Sequence, residues 1–184
     1  MRIVESGFVM LIGLFLMTRV SFAEEQPVRS GFWGEIDLGI GLLQQSFDEI
    51  EVDDAPLFLG FKAGYMISPQ FSMGLELSGC LLEAGDLEDP GVGEGISQVF
   101  LIARYYPYQK SNLFVNGGGG YASIWNNRPG QWRRKNGWGL TMGGGYDFRV
   151  NSRVALGPFV NFGNGSAEEL NYKVIHFGIG MTFQ

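Results

Sequence analysis

Cysteine and histidine are almost missing from this chain of 184 residues: each occurs once, as Cys80 and His176. A single cysteine permits no intrachain disulfide, and one Cys with one His cannot build a zinc site of the usual kind. Charge is sparse as well. Asp, Glu, Lys and Arg make up 17% of the residues, against roughly 25% in soluble domains, so part of the surface is expected to face something other than water. With 13 basic and 19 acidic side chains the net charge is -6, which lacks the basic footprint that nucleic-acid binding requires. Long apolar runs are also absent. The uncharged stretch at residues 6–18 is too short to cross a bilayer as a helix, which takes about 20 residues.

That stretch has the length of a secretory h-region. It follows Arg2, and Ser21-Phe22-Ala23 then puts small residues at the two positions a signal peptidase reads. Residues 1–23 are therefore read as a signal peptide cut after Ala23, with residues 24–30 left as a short segment before the first folded element. A retained N-terminal anchor is the rival reading.

From residue 31 onward the pattern has period two, the mark of strands with two unlike faces. In Phe32-Trp33-Gly34-Glu35-Ile36-Asp37-Leu38 the even positions are mostly large and apolar, while the odd ones include the acids Glu35 and Asp37. Leu57, Leu59, Phe61, Ala63 and Tyr65 alternate in the same way with Gly60, Lys62 and Gly64, and Met73, Leu75 and Leu77 with Gly74, Glu76 and Ser78. Further segments lie at residues 99–106, 113–123, 138–150, 154–162 and 172–183, giving eight strands. The greasy face carries one charge, Lys173. The other carries seven: Glu35, Asp37, Lys62, Glu76, Arg104, Asp147 and Arg149. A soluble barrel would be polar outside and dry within. This chain has the reverse arrangement, which suits a membrane-spanning barrel whose closed sheet satisfies every backbone group without water. The predicted fold is all-β, an eight-stranded antiparallel up-and-down transmembrane β-barrel over residues 31–184.

The connections sort by length. Short ones fall at residues 68–70, 107–112 and 151–152, and long ones at 44–55, 83–96, 125–136 and 163–171. Outer-membrane barrels have tight periplasmic turns and longer external loops, so this strict alternation with an even strand count would put both termini in the periplasm. Phe32, Tyr65, Phe71, Tyr105, Tyr146, Phe148 and Phe183 would form an aromatic girdle near that rim.

Gly64-Tyr65 before the Pro69 turn, Ala103-Arg104-Tyr105-Tyr106-Pro107, the strand from Gly117 to Tyr121, and the final Ile175-His176-Phe177-Gly178-Ile179-Gly180-Met181-Thr182-Phe183 resemble the eight-stranded outer-membrane barrels of the OmpA/OmpX-like superfamily. The resemblance covers residues 30–184 and is specific for architecture. It implies a monomer in the outer membrane of a Gram-negative bacterium. It also implies partners: outer-membrane lipids and lipopolysaccharide, and the barrel-assembly machinery and periplasmic chaperones during biogenesis.

The short turn after the second strand pairs residues whose numbers sum to about 138, setting Lys62 opposite Glu76. The seven inward charges are read as a packed salt-bridge layer that plugs the lumen, since a charge buried alone costs several kcal/mol. The alternative is a gated pore or a narrow conduit for small apolar molecules. Trp33, Phe58, Phe100, Tyr106, Phe114, Phe159 and Tyr172 share the inward face, and eight strands leave room only for side chains.

No catalytic residue, metal ligand set or cofactor is predicted. His176 has no local nucleophile and orienting acid beside it, and Asn161-Phe162-Gly163-Asn164 lacks the His and Ser of the His-x-Ser-Asn motif in membrane lipid A deacylases. A lipid-modifying enzyme is thus the weakest reading. The runs Gly117 to Gly120 and Gly143 to Gly145 lack the Lys-Ser/Thr and helix of a phosphate loop and are read as room for lumen side chains.

The long loops differ in sign. The first carries Asp48, Glu49, Glu51, Asp53 and Asp54, the second Glu83, Asp86, Glu88, Asp89 and Glu94, and the fourth Glu168 and Glu169; the third carries Arg128, Arg133, Arg134 and Lys135 beside Trp125 and Trp132. These four cations, with Lys173, are candidates for contact with lipopolysaccharide phosphates. The bland reading is loops kept soluble by charge.

Overall fold

The computed structural model describes residues 29–45, 56–84, 93–108, 111–128, 131–168 and 170–184. The expected signal peptide at residues 1–23, residues 24–28, and the acids Asp48, Glu49, Glu51, Asp53, Asp54, Asp86, Glu88, Asp89 and Glu169 lie outside them, as do the side chains of Glu83, Arg128 and Trp132.

Eight long strands make one closed sheet: β1 Gly31–Gln45, β2 Leu57–Ser68, β3 Phe71–Ala84, β4 Gly93–Tyr105, β5 Leu113–Arg128, β6 Gln131–Tyr146, β7 Val154–Ala167 and β8 Leu170–Phe183. Each pairs antiparallel with the next, and β1 pairs with β8, so no edge is left open. After a break at Asp147, Phe148–Arg149 extends β6 along β7 by two residues. The β2–β3 register runs from Leu57↔Leu81 to Met66↔Ser72 and includes Lys62↔Glu76, as the turn length required.

Alternation fixes which face is which. Leu38, Leu75, Leu77, Leu101 and Leu140 point outward and are exposed. Trp33, Phe58, Phe100, Tyr106, Phe114, Phe159 and Tyr172 all point inward and are buried. The greasy face is therefore the outer one, as a lipid solvent demands. One inner apolar cluster, with Leu43, Phe58, Ile96, Ile124, Tyr172 and Val174, lies toward the β5–β6 hairpin end. Another, with Trp33, Met66, Phe100, Ile102, Tyr106 and Phe114, lies toward the end where Gly31 and Phe183 begin and finish the barrel. At this second rim Phe32 packs edge-on against Tyr65 with centroids 5.2 Å apart.

Two expected loops are strands instead. Residues 125–128 and 131–136 continue the β5–β6 ladder through Trp125↔Arg134 to Arg128↔Gln131. Residues 163–167, 170 and 171 continue the β7–β8 ladder to Ala167↔Leu170, and Glu168 after it has a φ of 55°. Polar side chains mark where a strand leaves an apolar layer, not where its hydrogen bonds stop, because water tolerates a two-stranded ribbon with polar faces. The long-loop pattern therefore fails at the third and fourth connections. The expected strand at residues 138–150 starts earlier, at Gln131, and breaks at Asp147.

Candidate functional site

The interior chemistry begins at Glu35 on β1. Its neighbour across the β1–β2 ladder is Lys62, and its Oε1 accepts from Lys62 Nζ at 2.7 Å and from Arg104 Nη2 at 2.7 Å. Its Oε2 accepts from Thr182 Oγ1 of β8 at 2.8 Å. Lys62 also pairs with Asp37, two residues along the same face of β1. These three ion pairs, the ones formed among the described residues, join β1, β2 and β4, and each side chain in them is nearly fully buried. Arg104 adds aromatic contacts: its Cζ is 4.8 Å from the centroid of Trp33 and 4.1 Å from that of Phe114. A guanidinium between ring faces is stabilised by their quadrupoles, most where water is excluded.

Four of the seven predicted inward charges therefore come together. Glu76 is buried opposite Lys62, but its Oε2 has no hydrogen-bond partner among the described residues. Lys62 reaches across the β1 seam rather than the β3 seam. Asp147 makes none of these ion pairs; it accepts from the Tyr106 hydroxyl at 2.9 Å, within reach of the Arg104 charge, and Arg149 donates to the Gln184 side chain at 3.0 Å at the rim. Sequence reasoning missed two members. Thr182 shares the inward parity of His176 on β8 and was findable from that alone. Arg29 precedes the first strand, where no periodicity guides; it donates to Asn112 Oδ1 at 2.6 Å and lies over the Tyr106 ring at 3.9 Å.

Toward the hairpin end Gln98 joins Ser78 to the Tyr172 hydroxyl. His176 is buried, stacked on Phe58 at 4.1 Å, with its Nε2 3.6 Å from Cys80 Sγ. Among the described residues no group of three or more His, Cys, Asp or Glu side chains could hold a metal ion.

The basic residues of the β5–β6 hairpin divide by strand parity. Arg134 is on the outward face with Tyr121 and Trp125, where its Nε donates to Ser123 Oγ at 2.8 Å and its Cζ is 6.0 Å from the Tyr121 ring. Trp125 donates to Ser97 Oγ on the same face at 3.2 Å. Arg133 and Lys135 have the opposite parity, that of the buried Gly139, and rise above the barrel mouth. Lys173 is outward and exposed on β8. On the mouth side, Asn126 donates to Glu94 at 3.2 Å.

No family model matches the sequence, and neither does any curated protein. Among solved structures the chain is similar to Neisserial surface protein A at a TM-score of 0.62 and 15% identity, over 84% of this chain and 97% of that one. The fold is that of the eight-stranded outer-membrane β-barrels. The barrel is also similar to Ail of Yersinia pestis in complex with the heparin analogue sucrose octasulfate, with a TM-score of 0.55 and 12% identity over 83% of this chain and 99% of that one. For the N-terminal β-barrel domain of Pseudomonas aeruginosa OprF the TM-score is 0.51 and the identity 15%, over 84% and 100%.

Proposed function

We propose that this is a non-catalytic barrel of the Gram-negative outer membrane, with both termini in the periplasm, that serves envelope integrity or surface interaction by contacting lipopolysaccharide through its basic hairpin. The observation that carries this reading is the outward face of β5 and β6, where Arg134 sits with Tyr121 and Trp125. A cation set among amphipathic aromatics suits the headgroup level of a membrane, where ring and charge meet phosphate together. The filled lumen supports a plug rather than a pathway: three ion pairs lie between two buried aromatic and aliphatic clusters. His176, packed against Phe58 and Cys80, has no open face for a lipid substrate.

The test is binding of lipopolysaccharide by the refolded barrel when Arg128, Arg133, Arg134 and Lys135 are all changed to Gln. Affinity should fall and its salt dependence should flatten; unchanged binding discards the reading. Parity sharpens the expectation. Arg134→Gln alone should weaken binding about threefold to fivefold, as an interfacial charge contact would, whereas Arg133→Gln with Lys135→Gln should change it little.

A further inference from the structure

A groove of about 660 Å³ crosses the outer wall from Gly118 of β5 over β6, β7 and β8 to β1. Its floor is one rung of the sheet, Thr141↔Gly163↔Val174↔Leu43. The residues on either side of that rung point outward and make two ridges. Leu140, Asn164 and Lys173 form the ridge nearer the hairpin end; Met142, Phe162 and Ile175 form the other. The groove opens to the outside and not into the lumen, because Val174 and Leu43 are buried on their inner side while Leu140 and Met142 are 68% and 65% exposed.

The two ridges differ in chemistry. The lower is wholly apolar. The upper carries an amide and an ammonium, and one step further toward the β7–β8 turn Ser166 and Asn171, paired with each other, are also exposed. Lys173 takes part in none of the three ion pairs among the described residues. An ammonium on the outer wall with no ion-pair partner among the described residues calls for an anion, and an apolar trough beside it calls for a hydrocarbon chain attached to that anion.

We propose that this groove seats one acyl chain of a phosphorylated glycolipid of the lipid A type, with Lys173 pairing to its phosphate and Asn164, Ser166 and Asn171 meeting its sugar hydroxyls. The proposal rests on reading the chain as an outer-membrane barrel and names a site in its wall, separate from the hairpin. In a bilayer an acyl chain gains no hydrophobic energy by moving from lipid to groove, since both are equally apolar. Selection therefore comes from the charged contact and from shape. The row of amide and hydroxyl donors beside the cation favours a sugar headgroup over a simple phosphodiester, which would use the cation alone.

The experiment is native mass spectrometry of the full barrel, refolded into bilayers of phosphatidylethanolamine doped with lipid A, dephosphorylated lipid A or phosphatidylglycerol. The wild type should retain lipid A in preference to the other two. Lys173→Gln should lower retention about tenfold, the loss of one charge-assisted contact at a dry interface. Ile175→Trp, which fills the trough with another apolar outward side chain, should lower it comparably. Both variants should keep the heat-dependent gel shift of a closed barrel; Leu140→Trp replaces Ile175→Trp if that variant fails to close. Retention unchanged by either tryptophan overturns the groove as the seat, while an effect of Arg134→Gln on lipopolysaccharide binding would leave the hairpin reading standing. Equal retention of dephosphorylated lipid A overturns the role of Lys173, and equal retention of phosphatidylglycerol overturns the glycolipid. If wild type retains no lipid A and Arg134→Gln has no effect, both readings fall together.

Discussion

Changing Glu35 to alanine removes the acceptor on which three strands converge. Lys62 keeps Asp37, but Arg104 loses its carboxylate partner and Thr182 its acceptor. Breaking a buried ion pair from one side costs about 3–5 kcal/mol, because the surviving charge stays desolvated. With two cations and a hydroxyl affected, the upper part of that range is expected. Glu35→Gln keeps an acceptor oxygen and nearly the same shape, so its cost should be about half as large, near 2 kcal/mol, the scale of a hydrogen bond to a charged group. Reversible urea unfolding in lipid vesicles, followed by tryptophan fluorescence, measures both; Trp33, next to Arg104, reports on the site. A double-mutant cycle with Arg104→Met should give a coupling energy of about 1.5 kcal/mol or more. Glu35→Ala within about 0.5 kcal/mol of the wild type, the range of an ordinary surface substitution, would refute the reasoning. So would a coupling indistinguishable from zero.

Gly139 faces Phe100 and the Tyr172 hydroxyl, and an added Cβ would lie 2.8 Å from each; Gly139→Ala should cost about 1–3 kcal/mol as overpacking, measured in the same unfolding assay. Cys80, 4% exposed, should resist maleimide in the folded barrel and react promptly after boiling in detergent; rapid labelling of the folded form would show that the lumen is open. Planar-bilayer recordings should show no discrete conductance steps in the wild type, and steps that respond to Lys62→Ala or Glu76→Ala would establish conduction instead. On a gel the unheated barrel should migrate faster than the boiled one, and absence of a shift would contradict closure of β1 on β8.

The strands and their faces were legible because burial between lipid and lumen imposes period two with little exception; Leu75, Glu76 and Leu77 show it in three residues. Register was legible wherever a short turn fixed it, as at Lys62↔Glu76. The partner of Lys62 was not. A long side chain at the lumen centre reaches either neighbouring strand, and the choice of β1 over β3 depends on three-dimensional space that the sequence does not encode locally. The β5–β6 hairpin was misread for a different reason: above the apolar layer both faces of a ribbon are wet, so Trp125 to Asn136 lose the alternation while keeping the ladder. Of the basic residues nominated for lipid contact, only strand continuity could separate Arg134 from Arg133 and Lys135.

The contact between Glu35 and Thr182 spans 147 residues of sequence, almost the whole barrel, and the β1–β8 seam around it comprises twelve residue pairs. Closing a loop of that length costs on the order of 4 kcal/mol in chain entropy before any rung of the seam is formed. Contacts so distant in sequence are the slow ones. Until they form the chain is an open sheet whose two edges, β1 and β8, can pair with any other strand they meet. The meeting of the first strand with the last is thus what separates a sealed cylinder from a sticky ribbon.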